Sequence, residues 1–380
     1  MSDPIYLDYN ATTPVDPRVV EAMLPYLRTH YGNPSSDHVY GHAAKAAVDQ
    51  ARAEVAALIG AQPAEIIFTG CATEANNLAV LGVARSLRGR GRHLVTSAIE
   101  HPAVARPLAQ LADDGWDVTV LAVDAHGRVS PADLAAALRD DTVLVSIMHA
   151  NNEVGTLQPI AELAAIVHAR GALFHTDAAQ SAGKVPVDVA ALGVDLLTIA
   201  GHKFYAPKGV GALFVRPGTP IAPIQFGAGH EGGLRPGTEN VPHLVGLGAA
   251  AVLAQRHLPT IGDRLRRQRD ALHARLDSEI PGLALNGDRD ERLPNTLNLS
   301  FPGVSGRDLL ARTLEIAASV GSACHEEADA VSGVLGAMGV SAERARGAVR
   351  LSLGAPTTDA EITAAADALI DAWRSLAAGD

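Results

Sequence analysis

The sequence predicts an α/β fold: a large, mostly parallel sheet covered by helices on both faces, with a smaller α/β domain at the C-terminal end. Three observations carry this. Short, largely apolar runs alternate with helical periodicities from Ile66 to Val215, the pattern of strands buried on both faces and joined by crossover helices. The 380 residues are 47% hydrophobic and 19% charged, enough for two domains and a large core. After Pro223 the alternation stops, and a different, shorter set of elements follows.

Taken in order, Ile5–Pro17 is a short apolar piece followed by turn residues, and helical periodicity runs from about His42 to Ile59. Strands are expected at Ile66–Thr69, His93–Ser97, Val118–Ala122, Thr142–Met148, Leu173–Thr176, Val194–Ile199 and Val210–Val215, and helices at Glu74–Leu87, Ala103–Ala112, Pro131–Leu138 and Ala161–His168. The glycine-rich Phe226–Asn240 is too irregular for an element. A long helix is expected over Val241–Leu276, bent or broken near Pro259. Strands at Thr296–Ser300 and Val349–Leu353, a helix near Ser305–Leu314 and a final amphipathic helix at Asp359–Ala377 complete the chain. The expected division is a large domain of residues 15–255 and a small one of 256–380 together with 1–14.

The formal charge of −11, with no long basic cluster, argues against nucleic-acid binding. No apolar run approaches the roughly 18 residues that span a bilayer, and MSDPIYLDYN does not read as a signal peptide. Two cysteines, Cys71 and Cys324, make no disulfide framework and suit a reducing cytosol. A cytoplasmic enzyme without a metal site is the expectation.

The chemistry collects where strands end. The stretch LLTIAGHKFYAPKGVGALFVR reads as two buried strands joined by a tight turn, with Lys203 where the first gives out. A lysine in such a setting loses hydration, its pKa falls, and its amine becomes a nucleophile toward aldehydes, as a pyridoxal phosphate (PLP) Schiff base requires. Asp177 ends a very apolar strand, where a carboxylate either caps a helix or pairs with a cation such as a protonated pyridine nitrogen. Gln180, three residues on, can point the same way. Thr73 lies in TGCATEANN, a glycine-containing turn into a helix, which serves as an N-cap or an anion site. His101 follows a strand and precedes Pro102; it is either a surface cap or a proton carrier. Asn151 and Asn152 end another strand, as in a ligand crevice at the carboxyl edge of an open sheet. Cys324 sits in SVGSACH, a Gly/Ser-rich loop, and is either inert or a reactive thiol.

Together YLDYNATTP, FTGCATEANN, EHPAV, MHANNEVG, DAAQSAGKVPVD, GHKFYAPKGVGAL, RPGT at Arg235–Thr238, GSAC and VRLSLG resemble the cysteine desulfurases of the NifS-like group, within the class V aminotransferase superfamily. The resemblance covers nearly the whole chain. It implies fold-type I PLP architecture, with a large seven-stranded sheet domain, a small C-terminal domain and a homodimer. By it Lys203 would be the Schiff-base lysine, Asp177 the partner of the pyridinium nitrogen and Gln180 a contact of the ring oxygen. His101 would stack on the ring and carry protons. Thr73 and His202 would hold the phosphate, with Thr238 arriving from the partner subunit. Arg350 and Asn152 would grip the substrate carboxylate, and Cys324 would accept the sulfur of L-cysteine as a persulfide, leaving L-alanine. Ala200 replaces a serine common in relatives, so one phosphate hydrogen bond is expected to be missing. Cys71 replaces the small residue usual in the phosphate turn and reads as structural. HEEADAVSG after Cys324 is more acidic than usual, so the sulfur-acceptor protein is open: iron–sulfur assembly, tRNA thiolation, DNA phosphorothioation or biosynthesis. Rival readings are a selenocysteine lyase or other PLP-dependent carbon–sulfur lyase, a true aminotransferase, and a non-catalytic PLP-fold scaffold.

Overall fold

The computed structural model describes residues 3–321 and 332–378. In chain order the elements are β1 (Ile5–Tyr6), α1 (Pro17–Arg28), α2 (Val39–Leu58), β2 (Ile66–Thr69), α3 (Ala72–Leu87), β3 (His93–Ser97), α4 (Pro102–Asp113), β4 (Asp117–Leu121), α5 (Pro131–Ala137), β5 (Thr142–Ser146), α6 (Ile160–His168), β6 (Leu173–Asp177), α7 (Val189–Leu192), β7 (Leu196–Ala200) and β8 (Gly211–Val215). There follow α8 (Val241–Glu279), β9 (Ala284–Asn286), β10 (Thr296–Ser300), α9 (Gly306–Arg312), β11 (Ile316–Ala317), α10 (Gly333–Ala337), α11 (Ala342–Arg346), β12 (Ala348–Ser352) and α12 (Asp359–Ala378).

Seven strands form one sheet in the order β2-β8-β7-β6-β5-β3-β4. Strand β8 runs antiparallel to both neighbours, and the other pairs are parallel. The expected parallel sheet is therefore present with one reversed strand. The reversal follows from the short turn after β7, which returns the chain directly instead of through a crossover helix. The strands are apolar because both faces are covered: Val95, Val145, Phe174 and Leu197 join one core with α2 and α8, while Leu94, Leu144, Leu196 and Leu213 join another with α3 and α4. Gly248 lets α8 close on α2, since a Cβ there would meet the Ala51 Cα at 2.8 Å.

Helix α8 is unbroken through Pro259, where a bend or break was expected. Proline frees the carbonyl four residues earlier, on Gln255; Gln255 and Pro259 are both exposed, so water can take that bond. Leu244, Leu247 and Ala251 on its first half pack in the sheet core. Leu265, Leu272 and Leu276 on its second half pack in a separate core with β10, β12 and α12. That second core also takes Leu7, because β1 pairs with β11 and Asp8 bridges to Ser352. The N-terminal segment thus leaves the second core and runs to the edge of the large sheet. Helix α1, with Pro17 in its first turn and Pro25 inside it, was not foreseen. Among the described residues no helix is long and apolar enough to cross a membrane.

Candidate active site

Polar groups gather at the carboxyl edge of the large sheet. Strand β6 ends on Asp177, and β7 ends on Ala200, directly before the Gly201–Lys203 turn. Strands β3 and β5 end at Ser97 and Ser146, a few residues short of His101 and Asn152. Helix α3 starts just after β2. Parallel strands bring all these ends to one side, and between them lies a cavity of about 260 Å³. Its lining contains Thr73, His101, Asn152, Asp177, Gln180, His202, Lys203 and Arg350, all named from the sequence, together with Cys71 and Ala200. Thr238 is exposed on the loop before α8 and does not line this cavity. Cys324 lies outside the described residues.

The Lys203 amine donates to the backbone carbonyls of Asn10 at 2.6 Å and Ala11 at 2.8 Å. The N-terminal segment is held against this turn by Thr13, whose N–H and hydroxyl donate to the His202 carbonyl and whose hydroxyl accepts from the Tyr205 N–H at 2.8 Å. Tyr205 has φ of 71°, a conformation that costs a non-glycine residue about 1–2 kcal/mol. Its ring hydroxyl accepts from the Ala355 N–H at 2.6 Å, so the segment after β12 also holds it in place. His202 Nδ1 lies 3.1 Å from the Thr12 hydroxyl. Burial, with Lys203, Lys208 and Lys184 adding, pushes its pKa down to about 4, so the ring is neutral near pH 7.

Asp177 is 5% exposed. One oxygen accepts from Asn76 Nδ2 at 2.7 Å and the other from the Ala179 N–H at 2.9 Å. A carboxylate has about four lone-pair positions, so acceptor capacity remains for a cationic N–H. His101 does cap a helix: its Nδ1 accepts from the Ala103 N–H at 3.1 Å. It also lines the cavity, so cap and cavity residue are the same side chain. Burial lowers its pKa, Asp177 opposes this, and Lys203 lowers it further. With Nδ1 accepting, the neutral ring carries its proton on Nε2. Next to it Glu100 is half-buried with its Oε2 shielded from solvent, and it accepts from the Ser97 hydroxyl at 2.5 Å and the Met148 N–H at 2.9 Å. Burial, and then the Asp177 charge, raises its pKa to about 8.

Arg350, on β12, is 3% exposed. Its guanidinium pairs with Asp8 at 2.7 Å and donates to the Asn152 carbonyl at 3.1 Å, while its Nε is buried without a partner among the described residues. Helix α3 begins at an extended Cys71 that makes no side-chain cap, so its start is left uncapped where Cys71, Ala72 and Thr73 line the cavity. Gly211 on β8 permits this, because a Cβ there would meet the Cys71 carbonyl carbon at 2.8 Å and the Ala72 nitrogen at 3.0 Å. An uncapped helix start for a phosphate, a buried carboxylate for a ring N–H and a lysine amine between them form a donor set that PLP fits. No hydroxyl is available at Ala200. The sequence reading assigned no role to Asn10, Asn76, Glu100 or Lys184. The signal for Asn76 was its place one turn after Thr73 on the inward face of α3.

The family model for aminotransferase class-V matches residues 5–364. The chain is 48% identical to the cysteine desulfurase IscS of Anaeromyxobacter dehalogenans (strain 2CP-C), over 95% of this chain and 90% of the relative. Among solved structures, a NifS-like protein superposes with a TM-score of 0.91 at 38% identity, covering 97% of this chain and 98% of that one. SspA in complex with cysteine superposes with a TM-score of 0.82 at 37% identity, covering 92% and 98%.

Proposed function

We infer that this chain, which belongs to the aminotransferase class-V family, is a PLP-dependent cysteine desulfurase, converting L-cysteine to L-alanine and taking the sulfur onto one of its own cysteines as a persulfide. Its similarity to cysteine desulfurases runs over nearly the full length. The observation that carries the reading at residue level is the convergence of Lys203, Asp177, His101 and Arg350, from four separate parts of the chain, on one cavity.

Bound PLP supplies an electron sink that weakens bonds at the Cα of the amino acid. In the proposed site Lys203 holds the cofactor and its amine moves the Cα proton. Asp177 keeps the ring nitrogen protonated, and Asn76 and the Ala179 N–H orient that carboxylate. Thr73, His202 and the start of α3 hold the phosphate, while Gln180 donates to the ring oxygen. Arg350, fixed by Asp8, presents a buried guanidinium to the substrate carboxylate beside Asn152. His101, with its proton on Nε2, serves the substrate thiol. Cys324 receives the sulfur: its S–H and L-cysteine become an S–SH and L-alanine. Thr238, exposed away from its own cavity, suits a contribution to the phosphate site of a second subunit in a homodimer. A persulfide carrier needs a reducing compartment, so the cytosol is the proposed location, with delivery to an acceptor protein such as one of iron–sulfur assembly.

The test is incubation with L-cysteine in the absence of reductant, with alanine measured and the intact protein weighed under non-reducing conditions. One added sulfur on wild type, and none on Cys324→Ala, is expected. Alanine formation without a persulfide at Cys324 would remove that residue from the reaction.

A further inference from the structure

Lys184 is a buried amine that the reaction above does not use. It lies one turn after Gln180 and is 9% exposed. Its amine donates to Gln180 Oε1 at 2.8 Å and to Asn10 Oδ1 at 3.0 Å, two neutral amide oxygens. The charges that reach it, Lys203 and Arg350, are both cations; burial, with these adding, holds its pKa well below the ordinary lysine value. Both of these hydrogen bonds end on side-chain amide oxygens.

Asn10 is 1% exposed and joins the same network. Its backbone carbonyl accepts from Gln180 Nε2 at 3.0 Å as well as from Lys203. Its side chain donates to Thr296 on β10 and to the Asn152 carbonyl, and accepts from Asn295. Its N–H donates to Ser352 on β12 at 2.9 Å. The second core therefore anchors Asn10 from one side, while the site residues hang from it on the other.

A side-chain amide can be turned over with little change of shape, exchanging donor and acceptor. Turning Gln180 over would set its oxygen against the Asn10 carbonyl and forfeit the bond from Lys184. We propose that Lys184 and Asn10 are positioning residues that lock the Gln180 amide with its N–H end toward the cavity, so that Gln180 offers bound PLP a donor at the ring oxygen. This rests on the desulfurase reading above.

The test is a pH titration of the visible absorption band of PLP-reconstituted wild type, Lys184→Met and Asn10→Ala. A ring oxygen deprived of its donor is more basic and holds the neighbouring imine proton more tightly. Lys184→Met is expected to raise the titration midpoint by about one pH unit, the equivalent of one hydrogen bond to a charged oxygen. Asn10→Ala is expected to move it the same way by less. A folded Lys184→Met with the wild-type midpoint overturns the proposal, as does lower thermal stability with an unmoved midpoint. If Lys184→Met does not fold, Asn10→Ala decides; if neither folds, the pair is a structural pin and the proposal falls. A wild type that develops no visible band with PLP overturns the cofactor reading itself, and the positioning with it.

Discussion

Replacing Glu100 with glutamine tests the electrostatics of the site most directly. Its Oε2 is shielded from solvent, and its pKa is raised from 4.5 to about 8, chiefly by burial. At about 1.4 kcal/mol per unit, that shift corresponds to up to about 5 kcal/mol. The folded state binds a proton that the unfolded state has released between these two values, so the sign is fixed. The stability associated with Glu100 is fully present below pH 4.5 and is lost as pH rises toward 8. Glutamine is neutral throughout and keeps the acceptor for Ser97 and Met148. Its N–H end falls where the buried Oε2 has no partner among the described residues, which costs about 1–3 kcal/mol at every pH. The assay is denaturant unfolding of cofactor-free wild type and Glu100→Gln at a series of pH values, at one protein concentration. The histidines common to both proteins cancel in the difference. Glu100→Gln is expected to gain on wild type steadily from pH 5 to 8 and then level off. A difference that stays flat over that range would refute the argument that Glu100 is protonated in the fold. A neutral Glu100 also removes a like charge from beside Asp177, where a cationic ring nitrogen is proposed to bind.

Lys203→Ala is expected to abolish the visible band of the reconstituted protein; an unchanged spectrum would count against its role. Arg350→Lys keeps the charge but loses the planar fork, and a contact to a charged group is worth about 1.5–3 kcal/mol. It should lower kcat/KM for L-cysteine by roughly 10- to 100-fold, mostly through KM, and wild-type kinetics would move the carboxylate site elsewhere. Gly211→Val should displace the start of α3, given the 2.8 and 3.0 Å approaches there. Weaker PLP binding at near-normal saturated turnover is the expected result, read by cofactor titration, and unchanged affinity would detach that helix start from the phosphate.

The strands of the large sheet and the residues at their ends were legible because both leave local marks. A strand buried on two faces must be apolar, so an aspartate or lysine at its end stands out, as Asp177 and Lys203 do. Helix α1 was missed because its prolines, Pro17 and Pro25, read locally as turn signals, although one occupies the tolerant first turn. Pro259 bends or breaks α8 in the sequence reading, yet the helix is not broken there: proline's cost depends on whether the freed carbonyl can find another partner, and Gln255 is exposed to water.

The strand ends, the lysine between two apolar runs and the motif pattern are properties of neighbouring residues, so the chain alone determined the sheet, the cavity's main residues and the family. Lys184 sits 174 residues from Asn10, and Asp8 342 from Arg350. Hydrogen bonds over such distances impose no periodicity on the residues around them. Which neutral amides receive a buried amine, which way Gln180 faces, and that Glu100 keeps its proton were decided only when the fold excluded water and brought distant polar groups within reach of one another.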